Sequence, residues 1–373
     1  MAGIYIHIPF CKNKCTYCDF HFSTTYHSYQ DKMIDGIVEE LKQRSDYLKG
    51  EFVETIYFGG GTPSLINLVG LSKIIETIYS FFIVTDTPEI TLETNPDDIT
   101  LELVHSWKSA GINRLSIGIQ SFDEEVLKWM NRAHNVTQSF QAIQFAKQGG
   151  ISNITIDLMY GLPGLSLEAW EHQIERALSL QVQHISAYCL TVEKNTVLDT
   201  WVKSNKVKIS ENDDQALQFE LLQKKLNENG FDHYEISNFG KPNFYSLHNS
   251  NYWKGKKYLG VGPSAHSYDT IHRSWNVSNN HQYMKGIFEI NPKFDFELLS
   301  KSDVFNELLL IGLRTIWGVD LNKLNSVLSF SVFFNNKLKE LEMDDLVCIE
   351  DNHLMLTQKG KFFADKIAQD LFV

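Results

Sequence analysis

The chain reads GIYIHIPFCKNKCTYC from Gly3 to Cys18, an apolar strand pattern that runs directly into three cysteines. The spacing of Cys11, Cys15 and Cys18 lets one loop carry three thiolates to three corners of a cubane iron–sulfur cluster. The fourth iron then has no protein ligand, and a small molecule with an amino and a carboxylate group suits that open position. His21 follows at metal-ligand spacing, so a zinc site with three cysteines and one histidine is the alternative.

Downstream of the cysteines, short apolar runs alternate with amphipathic stretches such as Gln30–Leu48 as far as about residue 190. This alternation predicts right-handed βαβ units in an α/β fold with a parallel sheet. Six units are too few for a closed eight-stranded barrel, so we predict an open six-stranded parallel (β/α)6 barrel, a partial TIM barrel. A doubly wound sheet fits the same alternation. We expect Asp97, Asp98 and Thr137 to cap helices. The predicted strands are Gly3–Ile8, Val53–Phe58, Glu89–Thr94, Arg114–Ile119, Asn153–Met159 and His184–Leu190.

Polar or glycine-rich segments follow these strands, at the edge where ligands gather in parallel α/β barrels. The second strand runs into Gly59–Ser64, whose glycines leave backbone N–H groups free for the carboxylate or amine of an amino acid. The third ends at Glu93, which can accept a hydrogen bond from a ribose or an amine. The fourth ends at Gln120, followed by Arg132 as a carboxylate partner, and the fifth carries Asp157. Each residue alone is typical of a cap or turn, but their recurrence predicts a shared ligand.

The composition is that of an ordinary globular protein, with 43% hydrophobic and 21% charged residues and a formal net charge of -12. This charge argues against broad binding to nucleic acid or to an anionic membrane. No apolar run approaches the ~20 residues that span a bilayer, and the first residues have no leader pattern. We therefore expect a cytoplasmic protein without stable membrane insertion. Five cysteines, three of them clustered, indicate a metal site rather than disulfides, with Cys189 and Cys348 as small core residues.

The last third of the chain changes character. A segment from Phe239 to Tyr268 is rich in glycine, asparagine and aromatic residues, and the pattern after residue 301 is helical before two short strands. We predict three parts: a (β/α)6 core over residues 1–230, an extension over 231–300, and a smaller, mostly helical winged-helix-like module over 301–373.

With these motifs assembled, the chain resembles the radical SAM family of oxygen-independent coproporphyrinogen III oxidases over essentially its whole length. Within that family it looks most like the heme chaperone (HemW-type) branch. The resemblance implies a radical SAM barrel with a [4Fe-4S] cluster on the three cysteines and bound S-adenosylmethionine, which favours the cubane over zinc. It assigns to S-adenosylmethionine the residues Tyr5, Gly60, Gly61, Thr62, Glu93, Gln120, Arg132 and Asp157, while Tyr17 matches a position beside a second such molecule in the oxidases.

The segment from His248 to Trp253 resembles the HNxxYW motif of the chaperone branch, for which heme binding has been proposed. A neutral imidazole is a good axial ligand for heme iron, and Tyr252 and Trp253 can pack against a flat apolar macrocycle. The alternative is a hydrogen-bonded structural histidine with the two aromatic residues in the core.

Two functions follow from this resemblance. The first is a heme chaperone that binds heme and passes it to an acceptor protein, which the sequence does not identify. The second is an oxygen-independent coproporphyrinogen III dehydrogenase, which decarboxylates a porphyrinogen. The oxidases carry a fourth cysteine where this chain has Phe20, and they have additional sequence where only four residues precede Tyr5 here. Both departures favour the chaperone, and an unrelated radical SAM oxidoreductase or methyltransferase is a third possibility.

Overall fold

A computed structural model describes residues 1–291 and 294–373 of the chain. Six strands lie parallel and in sequence order at its centre. All six predicted strands are found, and the largest shift is at the third, which begins at Val84 rather than Glu89. The strands are β1 (Ala2–Ile8), β2 (Val53–Gly60), β3 (Val84–Thr94), β4 (Arg114–Gln120), β5 (Asn153–Tyr160) and β6 (His184–Cys189).

Helices connect these strands and cover the outside of the sheet. The apolar face of the first helix, for example, buries Met33, Ile37 and Leu41 against the sheet. The strands are buried on both faces, as parallel strands under helices must be. The helices are α1 (Gln30–Gln43), α2 (Leu68–Phe81), α3 (Leu101–Ser109), α4 (Glu124–Trp129), α5 (Val136–Gln148), α6 (Leu167–Ser179), α7 (Val197–Lys203) and α8 (Asn212–Glu228).

The strand order distinguishes between the two architectures that the sequence allowed. A doubly wound sheet reverses its strand order at a switch point, whereas β1 to β6 follow one another without reversal. The α/β fold with a six-unit parallel barrel is therefore confirmed. The barrel is open because β1 and β6 each pair with another strand instead of with each other.

The residues after α8 extend the sheet at both edges. The complete order is β12-β11-β10-β9-β1-β2-β3-β4-β5-β6-β8-β7, in which β9 is parallel to β1 and β8 is antiparallel to β6. Apolar residues from both sides of residue 230 form one continuous core, and a domain boundary at that position stays a prediction. These elements are β7 (Asp232–Glu235), β8 (Asn238–Gly240), α9 (Leu247–Trp253), β9 (Tyr258–Val261), β10 (His266–Tyr268), β11 (His272–Asn276), α10 (Asn280–Phe288) and β12 (Phe294–Leu298).

The C-terminal part is a small helical module with a core of its own, formed by residues between Phe305 and Leu371. Its three-stranded sheet has the order β13-β15-β14, of which the sequence predicted only the last two strands. Helices beside a short antiparallel sheet match the predicted winged-helix-like arrangement. The elements are α11 (Lys301–Leu313), β13 (Val319–Asp320), α12 (Leu321–Val327), α13 (Val332–Met343), β14 (Val347–Glu350), β15 (His353–Leu356) and α14 (Ala364–Asp370).

Backbone pairing joins this module to the barrel. The N–H of Ile236 donates to the carbonyl of Arg314 at 3.0 Å, and the N–H of Ile316 donates to the carbonyl of Tyr234 at 3.1 Å. These bonds cover part of the free edge of β7, which would otherwise present unpaired backbone groups. Across residues 1–291 and 294–373, no helix combines the length and apolar character needed to cross a bilayer.

Candidate functional site

A cavity of about 960 Å³ opens at the carboxyl ends of the barrel strands, within the size range of small-molecule sites. All residues that the sequence assigned to the cluster or to S-adenosylmethionine line it, except Tyr5. The HNxxYW residues assigned to heme do not line it. The predicted residues on the cavity wall are Cys11, Cys15, Tyr17, Cys18, Gly60, Gly61, Thr62, Glu93, Gln120, Arg132 and Asp157.

The cysteine loop is held in place by backbone hydrogen bonds at both ends. Cys11 N–H donates to the carbonyl of Ser23 at 3.1 Å, and Thr16 N–H donates to the carbonyl of Met130 at 3.2 Å. The Thr16 carbonyl in turn accepts from Leu198 N–H at 2.9 Å. The loop is therefore tied to segments that follow β1, β4 and β6, so its position depends on the folded barrel.

The three thiols sit in a partly buried, electropositive setting. Arg132 Nη1 lies 3.5 Å from Cys15 Sγ, and the Thr62 hydroxyl lies 3.6 Å from Cys11 Sγ. Burial raises the pKa of the Cys11 thiol to about 12 and that of Cys18 to about 11. Thiolates at these positions therefore need a metal charge beside them.

The zinc alternative needs the three thiols and His21 to converge on one ion. Tetrahedral zinc would hold its thiolates about 3.8 Å apart, and in the described part of the chain no three histidine, cysteine or acidic groups converge on one ion position. The corners of a cubane lie farther apart, so the three thiols need no such convergence. His21, the fourth ligand of the zinc alternative, binds Asn280 Oδ1 through Nε2 at 2.7 Å.

The glycine turn after β2 lies directly against the start of the cysteine loop. A side chain at Gly61 would collide with the carbonyl oxygen of Phe10, and one at Gly60 would lie 2.7 Å from the His7 ring. Gly60 also has a φ of +108°, which favours glycine. The Thr62 N–H donates to the same Phe10 carbonyl at 2.6 Å. This close approach explains the glycines. The Gly61 N–H also donates to the carbonyl of Ile8 at 2.9 Å, so the prediction of free N–H groups is wrong for Gly61 and Thr62.

Two acidic residues, on β3 and β5, line the cavity. Burial raises the pKa of Glu93 to about 7, and the nearby Asp157 adds to the rise while the Tyr57 hydroxyl, which donates to Glu93 Oε1 at 2.7 Å, opposes it. Burial also raises the pKa of Asp157 to about 6, against hydrogen bonds from serine hydroxyls. Both carboxyl groups are thus poised to ionise when a positively charged ligand or a hydrogen-bond donor arrives.

Arg132 connects the cluster loop to the ends of β3 and β4. Its Nη2 donates to Asn95 Oδ1 at 2.5 Å and to the carbonyl of Gly118 at 2.6 Å. Asn95 also donates to the Thr62 hydroxyl at 3.2 Å. Gln120, which follows, has a φ of +69°, a left-handed conformation that turns its side chain at the strand end. Sequence analysis missed Asn95, although its place directly after β3 was a usable signal.

Tyr5 lies inside the barrel, behind the cavity wall. Its ring stacks on Tyr57 at 6.1 Å between centroids, and its hydroxyl is 3.3 Å from His7 Nδ1. Tyr17 does reach the cavity and packs against the apolar cluster that contains Met130. Tyr5 is not on the cavity wall, so its contact with S-adenosylmethionine stays a prediction.

His248 is buried beneath this aromatic layer with both ring nitrogens hydrogen-bonded. Nδ1 lies 2.8 Å from the Thr55 hydroxyl, and Nε2 lies 2.8 Å from the Tyr252 hydroxyl. Its ring stacks on Tyr57 at 4.9 Å, and burial lowers its pKa to about 3. The imidazole is therefore neutral, and both of its nitrogens have hydrogen-bond partners. This agrees with the alternative of a hydrogen-bonded structural histidine. Trp253 lies under the guanidinium of Arg314 at 5.3 Å.

The C-terminal module forms part of the cavity wall, which sequence analysis did not predict. Arg314, Lys361 and Phe362 line the cavity from the far side, more than 120 positions beyond β6 in the chain. Tyr188 and Ile236 complete this side. No motif or spacing connects these residues, because only the docking of the module brings them to the site.

An open parallel barrel with three cysteines after its first strand and polar groups at the following strand ends defines the class of radical SAM proteins. The family model described as the Radical SAM superfamily matches residues 5–177, and the model of the HemN C-terminal domain matches residues 299–363. Membership of this superfamily implies a [4Fe-4S] cluster and S-adenosylmethionine.

Curated relatives define the family more closely. The chain is 32% identical to heme chaperone HemW of Lactococcus lactis over 95% of this chain and 93% of the relative. It is also 32% identical to heme chaperone HemW of Bacillus subtilis over 98% of each chain. Among solved structures, the chain is similar to the radical SAM coproporphyrinogen III oxidase HemN from Escherichia coli, with a TM-score of 0.85 and 23% sequence identity. The match covers 100% of this chain and 90% of the HemN chain, and it supports the fold. The chain belongs to the family of HemW heme chaperones.

Proposed function

We propose that this protein is a heme chaperone, which binds heme and transfers it to an acceptor protein. The observation that carries the proposal is the similarity to curated heme chaperones over nearly the whole of both chains. The cavity supports it, because apolar and aromatic side chains line it together with the candidate cofactor residues. The acceptor is a protein that the chain itself does not identify.

The residues on the cavity wall fit the two cofactors of the superfamily. Cys11, Cys15 and Cys18 would hold a [4Fe-4S] cluster, which when reduced can donate one electron to a sulfonium. The glycine turn would border the methionine part of S-adenosylmethionine, while its Gly61 and Thr62 N–H groups donate to the carbonyls of Ile8 and Phe10. Glu93 would accept from its amine or ribose. The full set proposed for S-adenosylmethionine is Tyr5, Tyr17, Gly60, Gly61, Thr62, Glu93, Gln120, Arg132 and Asp157.

For heme we propose the HNxxYW residues His248, Tyr252 and Trp253, with a structural condition attached. Ligation of iron requires His248 Nε2 to leave the Tyr252 hydroxyl, which lies 2.8 Å away. Heme binding through this histidine is therefore coupled to an opening of α9. Among the described residues that line the cavity there is no histidine, so without this opening the iron would take a different ligand.

The alternative function is an oxygen-independent coproporphyrinogen III dehydrogenase. Lys361 on the cavity wall favours it, since a substrate with several carboxylates needs cationic partners. Phe20 opposes it, because this residue is 66% exposed at the position where the oxidases carry a further cysteine. The two functions share both cofactors, and they differ in whether a porphyrin is carried or converted.

Anaerobic titration of the cluster-loaded protein with heme, followed by absorbance, tests the proposal. We would compare the wild type with His248→Ala and with Tyr252→Phe, which frees Nε2 but keeps the aromatic ring. One-to-one binding by the wild type and by Tyr252→Phe, lost in His248→Ala, supports both the function and the ligand. Equal binding by all three proteins would remove His248 as the ligand. No binding by the wild type would contradict the chaperone, and formation of a decarboxylated porphyrinogen would then establish the alternative.

We further propose that the protein works in the cytoplasm and without nucleic acid. Three cysteines free for a cluster need a reducing compartment, and a net charge of -12 disfavours a nucleic-acid partner.

A further inference from the structure

Lys361 reaches the cavity from the junction between the barrel and the C-terminal module. It belongs to the short 3-10 turn Gly360–Phe363, which immediately precedes α14. The turn is fixed from two sides. A side chain at Gly360 would collide with the carbonyl of Leu346, and Phe362 packs against Phe219 of α8 with ring centroids 6.3 Å apart. The lysine is therefore presented by a rigid turn rather than by a free loop.

The neighbour of the Lys361 ammonium is a neutral histidine. His233 Nε2 lies 3.0 Å from the carbonyl of Ile236, which can only accept, so this nitrogen carries the proton. His233 Nδ1 is then the acceptor for Lys361 Nζ at 3.2 Å. Burial and the adjacent lysine lower the pKa of His233 to about 3, so the ring contributes no charge.

No carboxylate in the described part of the chain lies within 4.0 Å of Lys361 Nζ. Arg314 on the same wall differs in this respect, because its guanidinium contacts Glu235 at 3.2 Å and Asp365 at 2.7 Å. A half-buried ammonium without a counter-ion is costly unless a ligand supplies the negative charge. On this wall the charge of Arg314 is therefore balanced by carboxylates of the protein, whereas the charge of Lys361 is available to an anionic ligand.

Aromatic and apolar side chains share the cavity wall with Lys361. Tyr160 and Phe219 lie nearly parallel, at an interplanar angle of 15°, and Met159, Ile236 and Phe362 line the same cavity. A ligand that satisfies this wall combines a broad apolar face with a carboxylate at its edge. We propose that Lys361 binds a propionate of a tetrapyrrole, so that the acidic edge of heme faces the C-terminal module. This inference rests on the proposed heme binding, but not on which residue ligates the iron.

The carboxylate of S-adenosylmethionine has the same charge, so the experiment must separate the two ligands. Four cluster-loaded proteins would be compared: wild type, Lys361→Met, Lys361→Arg and Lys366→Met. The last variant removes an exposed lysine of α14 that pairs with Asp370 at 2.6 Å, and it controls for the loss of one charge on the module. Each protein is titrated with heme, with heme dimethyl ester in the same detergent, and with S-adenosylmethionine.

We expect the wild type to bind heme about tenfold more tightly than the diester, since a hydrogen bond to a charged group is at stake. Lys361→Met should bind heme about tenfold more weakly and bind the diester unchanged. Lys361→Arg should restore the preference for the free acid, while Lys366→Met should match the wild type. Unchanged cluster absorbance in all four proteins would show that the fold is intact.

Heme binding by the wild type with the same affinity in Lys361→Met would overturn the inference and leave the chaperone function standing. Weaker binding of S-adenosylmethionine alone in Lys361→Met would assign the lysine to that cofactor and also overturn it. Failure of the wild type to bind heme would instead contradict the proposed function, and the inference with it.

Discussion

Burial of Glu93 determines whether its carboxyl group is protonated when a ligand binds. The carboxyl has a pKa of about 7 and is therefore half-neutral near physiological pH. A positively charged amine or a ribose hydroxyl binds better to the ionised form. We expect the affinity for S-adenosylmethionine to fall as the pH drops from 8 to 6. Glu93→Gln should bind about tenfold more weakly at pH 8 and depend less on pH, with Asp157 as the remaining group that titrates near pH 6. Isothermal titration over this range provides the measurement, and a parallel pH dependence in both proteins would exclude Glu93 as the titrating group.

The same shift has a consequence for stability before any ligand binds. Because the folded pKa of Glu93 lies above its ordinary value of 4.5, its contribution to stability is complete below that value and is lost as the pH rises through about 7. The loss amounts to at most about 3 kcal/mol. Glu93→Gln stays neutral, so its free energy of unfolding should decline less between pH 5 and pH 8. Urea denaturation at the two pH values measures this, and an equal decline in both proteins would contradict it.

At Cys15, the thiol lies 3.5 Å from Arg132 Nη1 in the loop that we propose as the cluster site. Cys15→Ser should lose stable cluster binding because only two thiolate ligands remain. Cys348→Ser is the matched control, since this cysteine lies in β14 of the C-terminal module. Iron content and visible absorbance of anaerobically purified protein give the readout, together with zinc analysis. Full iron content in Cys15→Ser would exclude the proposed ligand set, and stoichiometric zinc in the wild type would favour the zinc alternative.

Some of the site residues could be predicted from the sequence, and others depend on tertiary packing. Those on the cavity wall that sequence analysis found lie in the strands or in the segments that follow the carboxyl ends of the parallel strands. Lys361 and Arg314 do not, because they reach the cavity only through the docking of a separate module. His248 shows the opposite case. Its motif was visible, but the buried hydrogen bonds to Thr55 and Tyr252 depend on tertiary packing that spacing does not encode.

At the level of elements, the barrel strands were predictable because each is a short apolar run bounded by polar residues. Helix caps were placed two or three residues away from their true positions. Thr100 caps α3 and Asn135 caps α5 in a capping box, whereas Asp97 and Asp98 lie in a 3-10 turn and Thr137 lies inside the first turn of α5. Several polar residues in each segment can serve as caps, so the choice depends on where the preceding turn ends. The extra strands β8 to β12 escaped prediction because their runs are short.

The turn between β2 and α2 offers a test of close packing between elements. A methyl group at Gly61 would collide with the Phe10 carbonyl, and the two strand ends would have to separate. Gly61→Ala should lower the free energy of unfolding by about 2 kcal/mol and weaken S-adenosylmethionine binding. Gly164→Ala is the control, since that glycine has a φ of +76° but open space around it, so only backbone strain of about 1 kcal/mol is expected. Chemical denaturation and titration measure both effects, and equal behaviour of the two variants would refute the packing argument.

For the whole molecule, the question is how firmly the C-terminal module is attached to the barrel. Its separate core would allow it to fold as a unit. Arg314 ties it to β7 through Glu235, whose carboxyl is 2% exposed and whose pKa burial raises. The same guanidinium contacts Asp365 of α14 and covers Trp253 of α9. This side chain thus joins the module, the sheet edge and the HNxxYW segment at a single point.

Removing this connection should separate the module from the barrel. Arg314→Ala leaves Glu235 buried without its cation, which costs about 3 kcal/mol. We expect a lower melting temperature, a distinct earlier transition for the module in calorimetry, and faster proteolysis near residue 300. Lys128→Ala, which breaks an exposed ion pair with Glu125, should leave the melting temperature nearly unchanged. Because the module forms one wall of the cavity, Arg314→Ala should also weaken heme binding. A single transition at the wild-type temperature would mean that backbone pairing at β7, rather than Arg314, holds the module in place.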